Sequence, residues 1–146
     1  MKQNRKNLKI TSIIVLIFAG MALLNAVTGT LFFDMNGLTI PEGASENLVL
    51  ITQIFLLVAS VLFILPQFYI GIKGLKMAER PNASKGHIVW AIIMLVATFA
   101  SMISPLLGVI RMETLYENVS TLVSLALDVI VLLVYIKYAR AVCTAR

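Results

Sequence analysis

Four segments of this chain are long, apolar and almost free of charge, and they constrain the fold more than any other feature. Residues 10–33, 47–72 and 86–110 contain no charged side chain, and the fourth segment, 115–139, has Glu117 and Lys137 near its ends and Asp128 inside its apolar stretch. The hydrocarbon core of a bilayer is about 30 Å thick, so a helix that crosses it needs about 20 apolar residues. The segments therefore predict four transmembrane helices at about these positions.

The composition agrees with burial in lipid rather than in a water-soluble core. Of the 146 residues, 60% are hydrophobic and only 13% are charged, whereas about 25% of the residues of a soluble domain are charged. A domain of this length has too much surface to hide such an apolar excess inside. The predicted fold is an all-α integral membrane protein, a four-transmembrane-helix bundle that forms one transmembrane domain over residues 1–146.

The basic residues gather on one side of the four predicted spans, with Arg111 as the exception. They are Lys2, Arg5, Lys6, Lys9, Lys73, Lys76, Arg80, Lys85, Lys137, Arg140 and Arg146. Lysine and arginine in short loops stay on the cytoplasmic side during insertion, so both termini are predicted to be cytoplasmic. Most acidic residues fall on the opposite side, namely Asp34, Glu42, Glu46, Glu113 and Glu117. The positive net charge thus reflects topology, and no nucleic-acid partner is expected.

The length and topology are similar to those of small four-span bacterial membrane proteins, including compact exporters and fluoride channels. The chain lacks the glutamate in the first span and the polar track rich in phenylalanine and threonine that mark those two groups. It is therefore assigned to neither group. The similarity predicts a multi-pass protein of a bacterial plasma membrane.

Asp128 is the most informative polar residue, because a carboxyl group inside a membrane span costs roughly 3 kcal/mol unless it faces water or a partner. At a rise of about 1.5 Å per residue, four polar residues from four spans lie at a similar height just above it: Asn25, Gln53, Ser101 and Ser124. One hypothesis is a small outward-facing site that binds a cation or a polar head group. The alternative is that these groups only hydrogen-bond between helices, with the Asp128 carboxyl group neutral.

Small residues recur on one face of two spans. In the first span they are Ala19, Ala22, Ala26 and Gly29, and in the third they are Ala97, Ser101, Ser104 and Gly108. Such spacing lets helix backbones approach closely in lipid. We interpret the two faces as packing surfaces within the bundle, with a dimer interface as the alternative. Pro66 and Pro105 predict local distortions of the second and third spans.

Three basic residues, Lys73, Lys76 and Arg80, share one face of a helical extension of the second span. Anionic lipid head groups attract such clusters at about 1 kcal/mol per residue, so lipid contact is one hypothesis and a purely topological role is the other. The single histidine and the single cysteine, His87 and Cys143, cannot complete a metal site or a disulfide within the chain. Neither a metal nor a cofactor is predicted.

The sequence contains no phosphate-binding glycine loop, zinc-protease motif or serine nucleophile elbow, and no catalytic residue is assigned. The leading prediction is a non-enzymatic accessory, immunity or regulatory subunit that packs with itself, as a homo-oligomer, or with a larger membrane protein. The alternative is a small transporter or channel subunit whose intramembrane polar site is centred on Asp128. A lipid-modifying enzyme is the third class, and it would normally need more than one catalytic side chain within the membrane.

Overall fold

The computed structural model describes residues 2–31, 46–80, 85–112 and 114–144. These residues form five helices: α1 (Lys2–Leu31), α2 (Glu46–Glu79), α3 (Gly86–Ser101), α4 (Ile103–Ile110) and α5 (Leu115–Thr144). No strand occurs in these ranges. Four residues whose side of the membrane was predicted lie outside the described residues: Asp34, Glu42, Glu113 and Arg146.

The described chain has four helical segments that are long and apolar enough to cross a membrane, with α3 and α4 together forming one of them. They are Lys2–Gly29, Asn47–Glu79, Gly86–Ile110 and Leu115–Cys143. The predicted all-α fold with four such segments is therefore confirmed. The bounds of the helices differ from those of the predicted spans because α1, α2 and α5 continue well into the basic flanks. Lysine and arginine are good helix formers, so hydropathy marks where the apolar stretch ends and not where the helix ends.

The third apolar segment is interrupted at Met102, between α3 and α4. The Met102 amide donates to the carbonyl oxygens of both Thr98 and Phe99, at 3.2 Å each, which is the shared bonding of a tightened helical turn. Three residues later, Pro105 has no N–H group to donate, and its ring crowds the preceding turn. The predicted distortion at Pro105 is found, whereas α2 runs through Pro66 without a break.

The helices pack as a ring in which neighbours run antiparallel. Both α1 and α3 pack against α2 and α5, and α1 and α3 do not touch each other within the described residues. This order brings the beginnings of α1 and α3 together with the ends of α2 and α5. We call this part the basic half, and it comprises residues 2–12, 70–80, 85–91 and 132–144. The opposite part, the open half, comprises residues 20–29, 47–63, 103–112 and 114–128.

Burial is unequal between the two halves. The largest fully buried side chains all lie in the basic half: Tyr135, Leu8, Ile70, Met77, His87 and Ser12. In the open half, Pro105 is the only buried residue among the described side chains. The exposed fractions of Phe55 and Phe63 on α2 reach 71% and 69%. The helices are therefore held together at one end and leave most of their apolar surface uncovered at the other.

A close contact of three helices at Gly74 organises the basic half, and we call it the Gly74 junction. A Cβ atom added to Gly74 would meet the Ser12 hydroxyl of α1 and would lie 2.7 Å from the Tyr135 hydroxyl of α5. The Tyr135 hydroxyl donates a 3.0 Å hydrogen bond to the Ile70 carbonyl oxygen of α2. The His87 ring of α3 meets the Tyr135 ring edge to face, with centroids 6.1 Å apart. Side chains from α1 and α5 thus converge on Gly74 of α2, and His87 of α3 packs against the Tyr135 ring.

Candidate functional site between α1 and α5

A cavity of about 260 Å³ lies between α1 and α5, near the boundary of the open half. Residues three and four apart on a helix share a face, and this spacing brings the lining residues of each helix to the same side. The lining residues are Phe18, Met21, Ala22, Asn25, Ser124, Leu127 and Asp128. The cavity therefore has an apolar wall and three polar side chains, contributed by two helices that are remote in sequence.

Asp128 is the only charged residue that lines this cavity. It follows the start of α5 by 13 residues, which is about 20 Å along the axis, and it is half-buried. Within the described residues, no basic side chain lies at ion-pair distance from Asp128. The ion pair that these residues do contain joins Lys9 to Glu79 in the basic half, at 3.6 Å. Among the described residues, the polar side chains that share the cavity with Asp128 are Asn25 and Ser124.

Ser124 differs from most helical hydroxyl groups of this chain. Among the described residues, seven serine and threonine side chains donate to the carbonyl oxygen four residues earlier in their own helix: Thr11, Thr28, Thr52, Ser60, Thr98, Ser101 and Thr121. The Ser124 hydroxyl makes no such bond, and neither the Asn25 amide nor the Asp128 carboxyl group has a hydrogen-bond partner in the described part of the chain. All three polar side chains of the cavity are therefore available to a ligand.

The structure places the five predicted binding residues differently. Asn25, Ser124 and Asp128 line one cavity, whereas Gln53 and Ser101 are not among its lining residues. Gln53 is half-buried on α2, and Ser101 is exposed and donates to the Ala97 carbonyl oxygen at 2.9 Å. The helical rise gives the height of a residue but not the direction of its side chain. The common binding role of the five residues stays a prediction.

Sequence reasoning did not find the Gly74 junction or the apolar wall of the cavity. Gly71 and Gly74 are the available signal for the junction, because glycine at this spacing allows close helix approach. At Gly71 an added Cβ atom would lie 2.6 Å from the Leu16 Cγ atom, so both glycines face α1. Phe18 and Met21, in contrast, are apolar residues within an apolar segment, and nothing in the sequence distinguishes them.

The basic cluster predicted to contact lipid lies on α2 in the basic half. Lys76 and Arg80 are exposed and Lys73 is half-buried, with its ammonium group 5.8 Å from the centre of the Tyr69 ring. On α5, Lys137 is placed in the same way over Tyr138, at 5.9 Å. Lysine beside an aromatic ring suits the height of lipid head groups. Contact with anionic lipid stays a prediction.

The described residues contain no group of three or more histidine, cysteine, aspartate or glutamate side chains that could hold a metal ion. A scan against models of known protein families finds no match. Comparisons with curated proteins and with solved structures find none either.

Proposed function

We propose that this chain is a small, non-enzymatic, multi-pass protein of a bacterial plasma membrane, with both termini in the cytoplasm. It acts as an accessory, immunity or regulatory subunit by packing its helices against itself or against a larger membrane protein. The supporting observation is the open half, in which Pro105 is the only buried residue among the described side chains. Helices in lipid associate through close packing contacts, and the open half makes few such contacts among the described residues.

The small-residue face of α1 supports this proposal. Ala19 is fully buried against the bundle, but a Cβ atom added to Gly29, farther along the same helix, would meet nothing within 4 Å. In lipid, helices associate through close backbone contact at small residues rather than through the hydrophobic effect. The far end of α1 thus keeps a face suited to a further helix.

Isoleucine at Gly29 is expected to weaken assembly without changing the stability of the monomer. The matched control is Gly108→Ile, because a Cβ atom at Gly108 would lie 2.8 Å from the Asn118 Cγ atom inside the bundle. We expect Gly108→Ile to lower the unfolding free energy by about 1–3 kcal/mol and Gly29→Ile to leave it unchanged. Thermal unfolding in detergent measures stability. Energy transfer between labelled copies in liposomes measures self-assembly, and the masses of cross-linked complexes in native membranes measure assembly with a partner. Assembly that is unaffected by Gly29→Ile would contradict a role for this face.

A second candidate function is that of a small transporter or channel subunit with a polar site centred on Asp128. The observation in its favour is that Asn25, Ser124 and Asp128 line one cavity and have no other hydrogen-bond partner in the described residues. Ionisable groups within membrane spans commonly mark ion or substrate paths. In this candidate the cavity would hold the transported ion or substrate and would open alternately to the two sides of the membrane.

Under this second candidate, Asp128→Asn is expected to reduce proton or cation flux into protein-containing liposomes by about tenfold or more. The substitution keeps the size of the side chain and removes its charge, and losing a charged hydrogen bond costs about 1.5–3 kcal/mol. Glu117→Gln is the matched control, because Glu117 is an exposed carboxylate at the start of the same helix. If liposomes containing the parent protein show no flux, the transport candidate fails and the accessory role remains.

A further inference from the structure

We infer that the cavity between α1 and α5 binds a small protonated amine with an apolar body, held by Asp128, Asn25 and Ser124. The inference deepens the second candidate function and rests on the same cavity, but binding itself does not require transport. A regulatory subunit that senses such a cation would use the same contacts.

The charge of the cavity favours a cationic ligand. Asp128 is the only charged residue that lines the cavity, and no lysine or arginine lies at ion-pair distance from it in the described residues. The described basic residues other than Arg111 lie on the flanks of α1, α2, α3 and α5 in the basic half. A carboxylate away from bulk water is stable only when it is paired with a positive group and hydrogen-bonded. A cationic ligand brings the charge that the chain does not provide.

The lining of the cavity indicates which kind of cation it fits. Hard metal ions take six or more oxygen ligands or keep their own water shell, and this cavity offers only three polar side chains. Its remaining wall is apolar and includes Phe18, Met21 and Leu127. An aromatic face attracts an organic cation by about 0.5–2 kcal/mol, and the thioether and leucine surfaces favour an apolar body. The walls therefore fit an organic cation and not a hydrated metal ion.

The three polar side chains of the cavity can accept hydrogen bonds from an ammonium group. Asn25 faces the cavity from α1, and Ser124 faces it from α5. The Asn25 amide oxygen, the Ser124 hydroxyl oxygen and the Asp128 carboxylate can each accept a hydrogen bond, and none of the three side chains has another partner among the described residues. A primary ammonium group has three N–H donors, which equals this number of acceptors. A quaternary ammonium group of similar size carries the same charge but donates no hydrogen bond, so it binds less tightly.

The size of the cavity limits the ligand. Its volume of about 260 Å³ is below the roughly 300–1,000 Å³ of sites for drug-sized molecules. An acyl chain could fill this space, but it would leave the carboxylate, the amide and the hydroxyl unpaired. The fitting molecule is a short aryl-alkyl or alkyl amine with a single positive charge.

Calorimetry of the purified full chain in nanodiscs of zwitterionic lipid tests the inference with four probes that share one apolar body. The probes are phenylbutylammonium, its trimethylated analogue, phenylbutanol and phenylbutyrate. We expect the primary amine to bind most tightly, the trimethylated analogue about threefold or more weakly, and the neutral and anionic probes at least about tenfold more weakly. Equal affinities for amine and alcohol, or no binding of the amine at all, would overturn the inference.

Three variants locate the contacts. Asp128→Asn should weaken amine binding by about tenfold or more, and the control Glu117→Gln should leave it unchanged. Ser124→Ala should weaken the primary amine by about threefold without changing the trimethylated analogue, because only the amine donates to that hydroxyl. Ala22→Leu, which places extra volume in the cavity, should weaken both cations. Amine binding that survives Asp128→Asn would overturn the assignment.

Flux measurements on the same protein in liposomes separate this inference from the transport candidate. If the amine binds in the predicted order but neither the amine nor protons move across liposomes, the ligand site stands and transport fails. If protons move in an Asp128-dependent way but no amine binds, the ligand assignment fails and transport remains.

Discussion

Replacing Gly74 with leucine is expected to destabilise the protein by about 2–3 kcal/mol. Leucine is a better helix former than glycine by nearly 1 kcal/mol, so helix propensity alone would favour the variant. The expected loss must therefore come from packing at the Gly74 junction, and it must exceed that gain.

The geometry of the junction explains why packing decides. A Cβ atom at Gly74 would lie 2.6 Å from the Tyr135 Cε2 atom and would also meet the Ser12 hydroxyl. Ser12 and Tyr135 are both fully buried, and the hydrogen bond from Tyr135 to the Ile70 carbonyl oxygen holds the ring in place. Neither neighbour has space into which it can withdraw. The helices must separate to admit a larger side chain.

Gly20→Leu is the matched control, since a Cβ atom added to Gly20 on α1 would meet nothing within 4 Å. We expect this variant to unfold at the same temperature as the parent or slightly higher, because only helix propensity changes. Thermal unfolding in detergent, followed by circular dichroism, compares the two. Equal melting temperatures for Gly74→Leu and the parent would show that the three helices do not meet as closely as described.

The sequence was sufficient to predict the four apolar helical segments, because a long run without charge is a strong and local signal. It was also sufficient to single out Asp128, since one carboxyl group in an apolar segment is conspicuous. Helix ends were harder to predict. The basic flanks of α1 and α2 are helical but not apolar, so a search for apolar residues stops before the helix does.

The direction of each side chain could not be predicted for a physical reason. In a water-soluble bundle the apolar residues repeat on one face, and that face marks the core. The spanning parts of these helices are apolar all round. Hydropathy therefore does not show whether the Gln53 side chain points towards a neighbouring helix or away from it. The height of Gln53 and Ser101 along their helices was therefore predictable, but their place outside the cavity was not.

The close approach of α1 to α2 in the basic half depends on small residues. Gly71 and Gly74 let α1 come close to α2, and Ser12 occupies the space that the absent side chains leave. Where no such pair of glycines faces a neighbour, as along residues 47–63 of α2, the side chains stay uncovered. Buried contacts thus concentrate in the basic half, and the described side chains of the open half stay largely uncovered.

Truncating Tyr135 to alanine is expected to cost about 3–5 kcal/mol, the range for removing a buried aromatic side chain. Tyr135→Phe should cost only about 1 kcal/mol, because it keeps the ring and loses one hydrogen bond to the Ile70 carbonyl oxygen. The control Tyr116→Ala, at a side chain that is 87% exposed, should change the unfolding free energy by less than about 0.5 kcal/mol. Denaturant titration in detergent measures all three.

The combination of Gly74→Leu with Tyr135→Ala tests whether the two residues act at one junction. Separate sites give additive losses, whereas residues in contact deviate from additivity by about 0.5–3 kcal/mol. Removing the Tyr135 ring opens the space that leucine at Gly74 needs, so the double variant should be more stable than the sum of the single losses implies. A strictly additive result would mean that Gly74 and Tyr135 stabilise the bundle independently and do not act at one junction.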